Sequence, residues 1–209
     1  MTPQPPSDSL HADLCDGTAI TDFHTHNLQA PAGCAIINLP QAWTECPAQF
    51  HPRPGALYSA GIHPWWTADH EAILRMKQAL PRLLSHPQVV ALGECGLDRL
   101  RGASLAEQEE LLRWQLALGE TLHLPVTLHV VRAFDVLLHL HKELRPTTRW
   151  TIHGFRGGPA LARQLLAAGL DLSFGVRYNP EAFALTPPEK RHRETDDGRQ
   201  TTEAVFQDK

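Results

Sequence analysis

Residues 89–98 read VVALGECGLD. Positions 89–93 form a short, continuous apolar run, the pattern of a strand buried on both faces of a parallel sheet. Glu94 follows directly. A carboxylate at the end of such a strand is expensive to desolvate unless partners wait for it. Two kinds of partner suit it. One is a salt bridge to Arg99 or Arg132. The other is a pair of metal ions, because one carboxylate can bridge two cations about 3.5–4 Å apart. Cys95 alternates to the opposite side and is expected to pack in the core.

Similar runs flank this one on both sides. They fall at 19–23, 34–38 and 57–62 before it, and at 126–128, 150–152, 170–174 and a weaker 191–194 after it. Between several of them apolar residues recur every three to four positions, which predicts helices. The segment 71–85 carries Ile73, Leu74, Met76, Leu80, Leu83 and Leu84, and 105–122 carries Leu111, Leu112, Leu116 and Leu118. Segments 133–144 and 158–168 repeat the theme. Ser104 followed by Glu107 is a capping-box pattern at the start of the second of these helices. Alternating strands and helices imply a parallel sheet covered on its faces. Eight strands imply closure into a (β/α) barrel of the TIM type. An open doubly wound sheet is the alternative, but no G-x-G-x-x-G follows the first strand.

The 209 residues suit one domain, near the low end of the roughly 200 to more than 400 residues of such barrels. Residues 1–17, rich in Pro, Ser and Asp, are expected to be a flexible lead-in, with one barrel domain over 18–209. Segments 41–55 and 178–190 contain prolines and little helical pattern. The tail beyond the eighth strand is short, so a reduced C-terminal end is expected.

Composition narrows the function. Hydrophobic residues make up 42% and charged residues 20%, which allows a proper core and argues against global disorder. The net charge of −4 gives no broad basic face, so nucleic acid would have to be held locally, through metal ions. Cys15, Cys34, Cys46 and Cys95 form no C-x-x-C pair and suit a reducing compartment. The first residues lack the regions of a secretory signal, and no run of about 18 apolar residues is present. A cytoplasmic protein is expected, with no membrane contact and no obligate protein partner. The chain also carries 13 histidines, and histidine is the commonest metal ligand and acid–base group near neutral pH.

In a barrel the chemistry sits at the C-terminal ends of the strands. Those ends read Asp22-Phe23-His24-Thr25-His26, Gly61-Ile62-His63-Pro64, Gly93-Glu94, Leu128-His129, Ile152-His153 and Glu194-Thr195-Asp196. His24 and His26 are two apart on a strand and share a side, which suits two ligands of one metal. A single histidine in such a place would be unremarkable. Ionisable groups at so many strand ends make sense together only if something cationic binds among them. His139 and His141 fall on a helix and are expected to be solvated. Trp65 and Trp66, next to His63, suit either base stacking or loop packing.

In this order the motifs D-x-H-x-H, G-x-H-P, G-E-x-G-L-D, a strand-end His129, H-x-F-x-G (His153, Phe155, Gly157) and E-T-D resemble the TatD-like metal-dependent hydrolases, the TatD DNase family. The resemblance covers residues 20–198. It implies a barrel holding one or two divalent metal ions, with Zn, Mn and Mg as candidates. His24, His26, Glu94 and Asp196 would hold one ion, and Glu94, His129 and His153 the other, with Glu94 bridging. Asp196 would orient or deprotonate the attacking water, and His63 would contact a substrate phosphate or leaving group. The implied activity is hydrolysis of phosphodiester bonds in DNA. The resemblance implies a substrate contact at Arg132, but the family's H-x-R-x-A is one residue longer here, at His129-Val130-Val131-Arg132-Ala133, which alters the loop that would present it. Two other readings remain: a related metallohydrolase acting on phosphomonoesters, amides or lactones, and a barrel that binds without catalysing. Related barrels use a carboxylated lysine as the bridge, and no lysine stands at a strand end here.

Overall fold

The computed structural model describes residues 20–196. The expected lead-in over 1–17 and the tail beyond Asp196 lie outside the described residues. Eight strands form one sheet in sequence order: β1 (Asp22–Thr25), β2 (Ala35–Asn38), β3 (Leu57–Ala60), β4 (Val89–Asp98), β5 (Val126–Val131), β6 (Trp150–Ile152), β7 (Asp171–Phe174) and β8 (Arg191–Arg193). Every neighbouring pair is parallel. A parallel bridge from Thr25 to Asp196 closes the seam between the first and last segments. There the His26 N–H donates to the Asp196 carbonyl at 2.7 Å, and the Asp196 N–H donates to the His24 carbonyl at 3.1 Å. The expected barrel is present, and its closure is made by the backbone of three candidate ligands.

The helices lie between the strands: α1 (Gln41–Glu45), α2 (His70–Leu84), α3 (Leu105–Thr121), α4 (Phe134–Leu144), α5 (Pro159–Ala167) and α6 (Pro180–Leu185). The capping box at α3 forms as expected, with Ser104 accepting from the Glu107 N–H and Glu107 reaching back to Ser104. Segments 41–55 and 178–190 depart from expectation, for they hold α1, α6 and two 3-10 turns. Proline is the physical reason at α6: its fixed φ suits the first helical position, and Asn179 caps the helix through the Ala182 N–H. The helices bury Met76, Leu80, Leu112, Leu137 and Leu165 against Ile37, Leu92, Leu128 and Leu172 of the sheet. Each such side chain contributes about 1.5–3 kcal/mol.

The strand at 89–98 differs most from its sequence reading. It does not stop at Gly93; it continues to Asp98, paired with β5 from Cys95–Leu128 to Asp98–Val131. Alternation explains this. Cys95 and Leu97 turn into the core with no exposure, so Glu94, Gly96 and Asp98 share the other face. Gly96 is required: at φ +148° a Cβ there would lie 1.9 Å from the His129 carbonyl oxygen. Glycine therefore lets β4 and β5 approach closely at the mouth. Cys95 packs as expected, and burial pushes its thiol up. Among the described residues, no helix is long and apolar enough to cross a membrane.

Candidate metal centre

Glu94 is 3% exposed and sits inside a ring of imidazoles. Its Oε2 is 3.3 Å from Nε2 of both His24 and His26. Its Oε1 is 2.6 Å from His153 Nε2, 2.9 Å from His129 Nδ1 and 3.1 Å from His63 Nε2. His129 Nδ1 and His153 Nε2 are 3.4 Å from each other. Asp196 closes the other side, with Oδ1 3.9 Å from His24 Nε2 and 3.8 Å from His26 Nε2. The Glu94 N–H donates to Asn38 Oδ1 at 2.7 Å, which also accepts from the Ser59 hydroxyl at 3.1 Å. Burial by itself would raise the Glu94 carboxyl. The His153 charge and the bonds from His129, His153 and His24 outweigh burial and hold it well below the usual carboxylate range.

This donor set fits divalent cations better than it fits hydrogen bonding alone. A carboxylate offers about four lone-pair sites, and five imidazole nitrogens point at this one. His24 is fully buried, its Nε2 faces Glu94 Oε2 only at 3.3 Å, and its Nδ1 has no hydrogen-bond partner among the described residues. Nitrogens and oxygens about 3.3 Å apart are what two ligands of one four-coordinate ion with bonds of roughly 2.0–2.1 Å produce. The groups able to hold an ion are His24, His26 and Glu94; His24, His153 and Asp196; and His63, Glu94 and His129.

His63 differs from the other imidazoles. Burial pushes its pKa down, against the pull of Glu94, so it is neutral near pH 7. Its Nδ1 accepts the Trp65 backbone N–H at 3.1 Å. The remaining ring proton is therefore on Nε2, and His63 presents a donor to the centre.

Four acidic or amide groups around the centre were given no role from sequence, although Asp22, Asp98 and Glu194 stand in its motifs. Glu194 is fully buried; its Oε1 accepts the Gly154 N–H at 2.7 Å and lies 3.4 Å from His153 Nδ1. Asp22, the acid of D-x-H-x-H, accepts the Thr195 N–H at 2.9 Å and its hydroxyl at 2.6 Å, so it buckles the barrel seam. Asn38 holds the Glu94 backbone. Asp98 meets both His129 and Trp65. Strand parity from Glu94 was the available signal for Asp98; the other three depend on contacts across the barrel.

Other expectations fare differently. Glu94 pairs with neither Arg99 nor Arg132; Arg99 binds Asp135 instead. Arg132 is exposed just beyond β5 with φ +52°, and no hydrogen bond or ion pair among the described residues joins it to Glu94 or its imidazoles. Trp65 is 45% exposed at the mouth, while Trp66 packs against the core. His139 is exposed, but His141 is half-buried, edge-on to Trp150 at 5.0 Å. That is a correction: the apolar face of α4 extends far enough to cover it.

Buried imidazoles converging on a carboxylate at the C-terminal mouth of an eight-stranded parallel barrel define a class, the barrels able to hold metal ions at that end. The sequence model for TatD related DNase matches residues 21–199, and the chain belongs to that family. The relatives it resembles include the protein named 3'-5' ssDNA/RNA exonuclease TatD from Erwinia amylovora, 38% identical over 120 residues, or 54% of this chain and 44% of the relative. The protein of the same name from Pantoea sp. (strain At-9b) is 34% identical over 165 residues, 71% of this chain and 60% of the relative. The chain thus spans about half to three fifths of the length of these curated relatives. Among solved structures, YJJV, a TatD homolog from Escherichia coli K12, matches with a TM-score of 0.66 and 25% identity over 88% of this chain and 85% of that one. A TatD family hydrolase from Entamoeba histolytica shares the fold, with a TM-score of 0.60 and 22% identity over 78% and 60%.

Proposed function

We propose that this chain is a divalent-metal-dependent phosphodiesterase that hydrolyses single-stranded nucleic acid, DNA first, at the mouth of its barrel. The supporting observation is the crowding of five imidazole nitrogens around the buried Glu94 carboxylate. In this reading His24, His26, Glu94 and Asp196 hold one cation, and Glu94, His129 and His153 hold a second. Bound cations supply Lewis acidity toward a phosphoryl oxygen and toward water. Mixed nitrogen and oxygen donors suit Zn2+ or Mn2+ better than Mg2+, which prefers oxygen.

The chain's own residues do the rest. Asp196, with 40% of its side chain exposed, is open to solvent and accepts the proton of the attacking water. His63 directs its Nε2–H toward a phosphate oxygen or the leaving group. Trp65 offers its exposed ring to a base, and Arg132 stands outside the ring as a contact for a more distant phosphate. The names of the relatives support nucleic acid as the substrate. The free thiols of Cys34, Cys46 and Cys95 support a reducing cytoplasm.

The test is metal analysis of the purified protein, together with assays on single-stranded DNA, RNA, a phosphomonoester and a lactone. Glu94→Ala should abolish both metal content and turnover. Wild-type hydrolysis of oligonucleotides by that variant would overturn the assignment, and preference for the phosphomonoester or lactone would replace the substrate.

A further inference from the structure

Asp98 lies four residues beyond Glu94 on β4 and on the same face, with its side chain 3% exposed. Its two oxygens have separate duties. Oδ1 accepts the Leu100 N–H at 2.7 Å and shapes the turn that leaves the strand. Oδ2 accepts the Trp65 indole N–H at 2.6 Å and stands 3.3 Å from His129 Nε2. His129 thus stands between two carboxylates, with Glu94 Oε1 2.9 Å from its Nδ1; with a cation held on Nδ1, the remaining ring proton is on Nε2 and Asp98 Oδ2 accepts it.

We infer that Asp98 is a positioning residue for the metal centre: it fixes the tautomer and ring plane of His129, so that Nδ1 faces the centre, and it anchors the rim indole of Trp65 with the same oxygen. The inference rests on the proposed metal-binding role of His129.

The surroundings hold Asp98 itself in place. Gln108 of α3, 1% exposed, accepts the Asp98 N–H at 2.8 Å and donates to the Asp98 carbonyl at 3.0 Å. The loop carrying Trp65 is stapled to the loop after β4. Thr67 donates its hydroxyl to the Pro64 carbonyl at 2.6 Å and accepts the Ala103 N–H at 2.8 Å. The Arg101 guanidinium lies over the Trp65 ring at 4.3 Å. A carboxylate that orients a ligating imidazole commonly matters as much as a modest ligand does. Here the same group also spans to the surface where substrate would arrive.

Asp98→Asn is the informative variant. It keeps a carbonyl oxygen for the Leu100 N–H and puts an NH2 in place of Oδ2, which cannot accept from either His129 or Trp65. Trp65→Phe is its complement, removing the indole N–H and leaving the His129 bond. Zinc alone is the probe, measured by chelator competition on proteins whose circular dichroism and Tm match the parent. Asp98→Asn should hold zinc roughly 10- to 100-fold more weakly, and Trp65→Phe within about twofold of the parent. In 15N spectra of the zinc-loaded parent, His129 should show one tautomer, protonated at Nε2. A parent His129 protonated at Nδ1 overturns the inference even if Asp98→Asn fails to fold. So does a folded Asp98→Asn that holds zinc like the parent. A parent that takes up no zinc overturns the metal centre and this inference together, whereas zinc-binding parent and variant alike remove Asp98 alone.

Discussion

His153 Nε2 lies 2.6 Å from Glu94 Oε1, and both side chains are buried. Burial opposes charge on each. For His153 the nearby Glu94 and Glu194 outweigh burial and hold the imidazole well above its ordinary range; for Glu94 the imidazoles hold the carboxyl well below its own. Without metal, the two therefore stabilise one another as an ion pair.

The sign of the pH dependence follows. The depressed Glu94 contributes fully above its unfolded value of about 4.5 and loses that contribution as pH falls through its folded pKa. The raised His153 contributes fully below about 6.5 and loses it as pH rises through its folded pKa. Chelator-stripped protein should have its highest Tm between those values and decline on the alkaline side. Saturating metal should reverse the alkaline trend, because ligating imidazoles must be neutral. Thermal unfolding from pH 4 to 9, with and without zinc, checks this. A stripped protein whose Tm keeps climbing past pH 8 refutes the pairing.

Trp65 is the exposed aromatic of the rim. Stacking on an aromatic ring contributes about 1–3 kcal/mol per base. Trp65→Ala should thus raise KM for a single-stranded oligonucleotide by roughly 5- to 150-fold, while Trp65→Phe restores much of the loss. An unchanged KM for Trp65→Ala removes the ring from the substrate path.

Gln115 of α3 acts at a distance from the centre. Its Oε1 accepts the Ile62 N–H at 2.7 Å and its Nε2 donates to the Ile62 carbonyl at 3.2 Å, clamping the residue before His63. Gln115→Leu leaves that buried amide unpaired, which costs about 1–3 kcal/mol. The Ile62 amide should exchange faster with solvent water, and turnover should fall through a looser His63. Exchange and Tm both equal to the parent would show that the clamp is dispensable.

The opposite end of the barrel predicts stability without function. Asp171, 3% exposed, receives bonds from Arg149, from Nε at 2.8 Å and also from Nη2, with His192 Nε2 3.6 Å away. Burial pushes the Asp171 carboxyl up, but His192 and Arg149 outweigh it and hold it low. Arg149→Met should cost about 1–3 kcal/mol, less than a fully buried pair because the guanidinium is partly solvated. The depressed carboxyl contributes above about pH 3.8 and loses its effect as pH falls through the folded pKa. Urea unfolding at pH 7 and pH 3 should show the gap narrowing in acid, with zinc retention untouched at pH 7. A gap of the same size at both pH values contradicts this account.

The periodicities in the chain are local, and so the alternation of strands and helices could be read from them. Spacing of two at the end of β1 put His24 and His26 on one side, and spacing of three to four marked α2 to α5. The acid after an apolar run marked Glu94. Where the reading stopped short, a glycine was the cause: Gly93 looked like an end, yet parity carried β4 on to Asp98. No local pattern signals that Asp22 binds Thr195 or that Glu194 stands behind His153, because those partners meet only when the sheet curls and closes.

Neighbours along the chain set the period of a strand or helix, so the residues alone indicated a barrel and named the side chains at its mouth. Which nitrogen of each histidine faces inward is a different matter. It depends on what the other nitrogen meets: Trp65 for His63, Asp98 for His129, Glu194 for His153. Those meetings are set by the stagger and closure of eight strands, and the Thr25–Asp196 bridge that closes the seam joins residues from the first and last segments of the described chain.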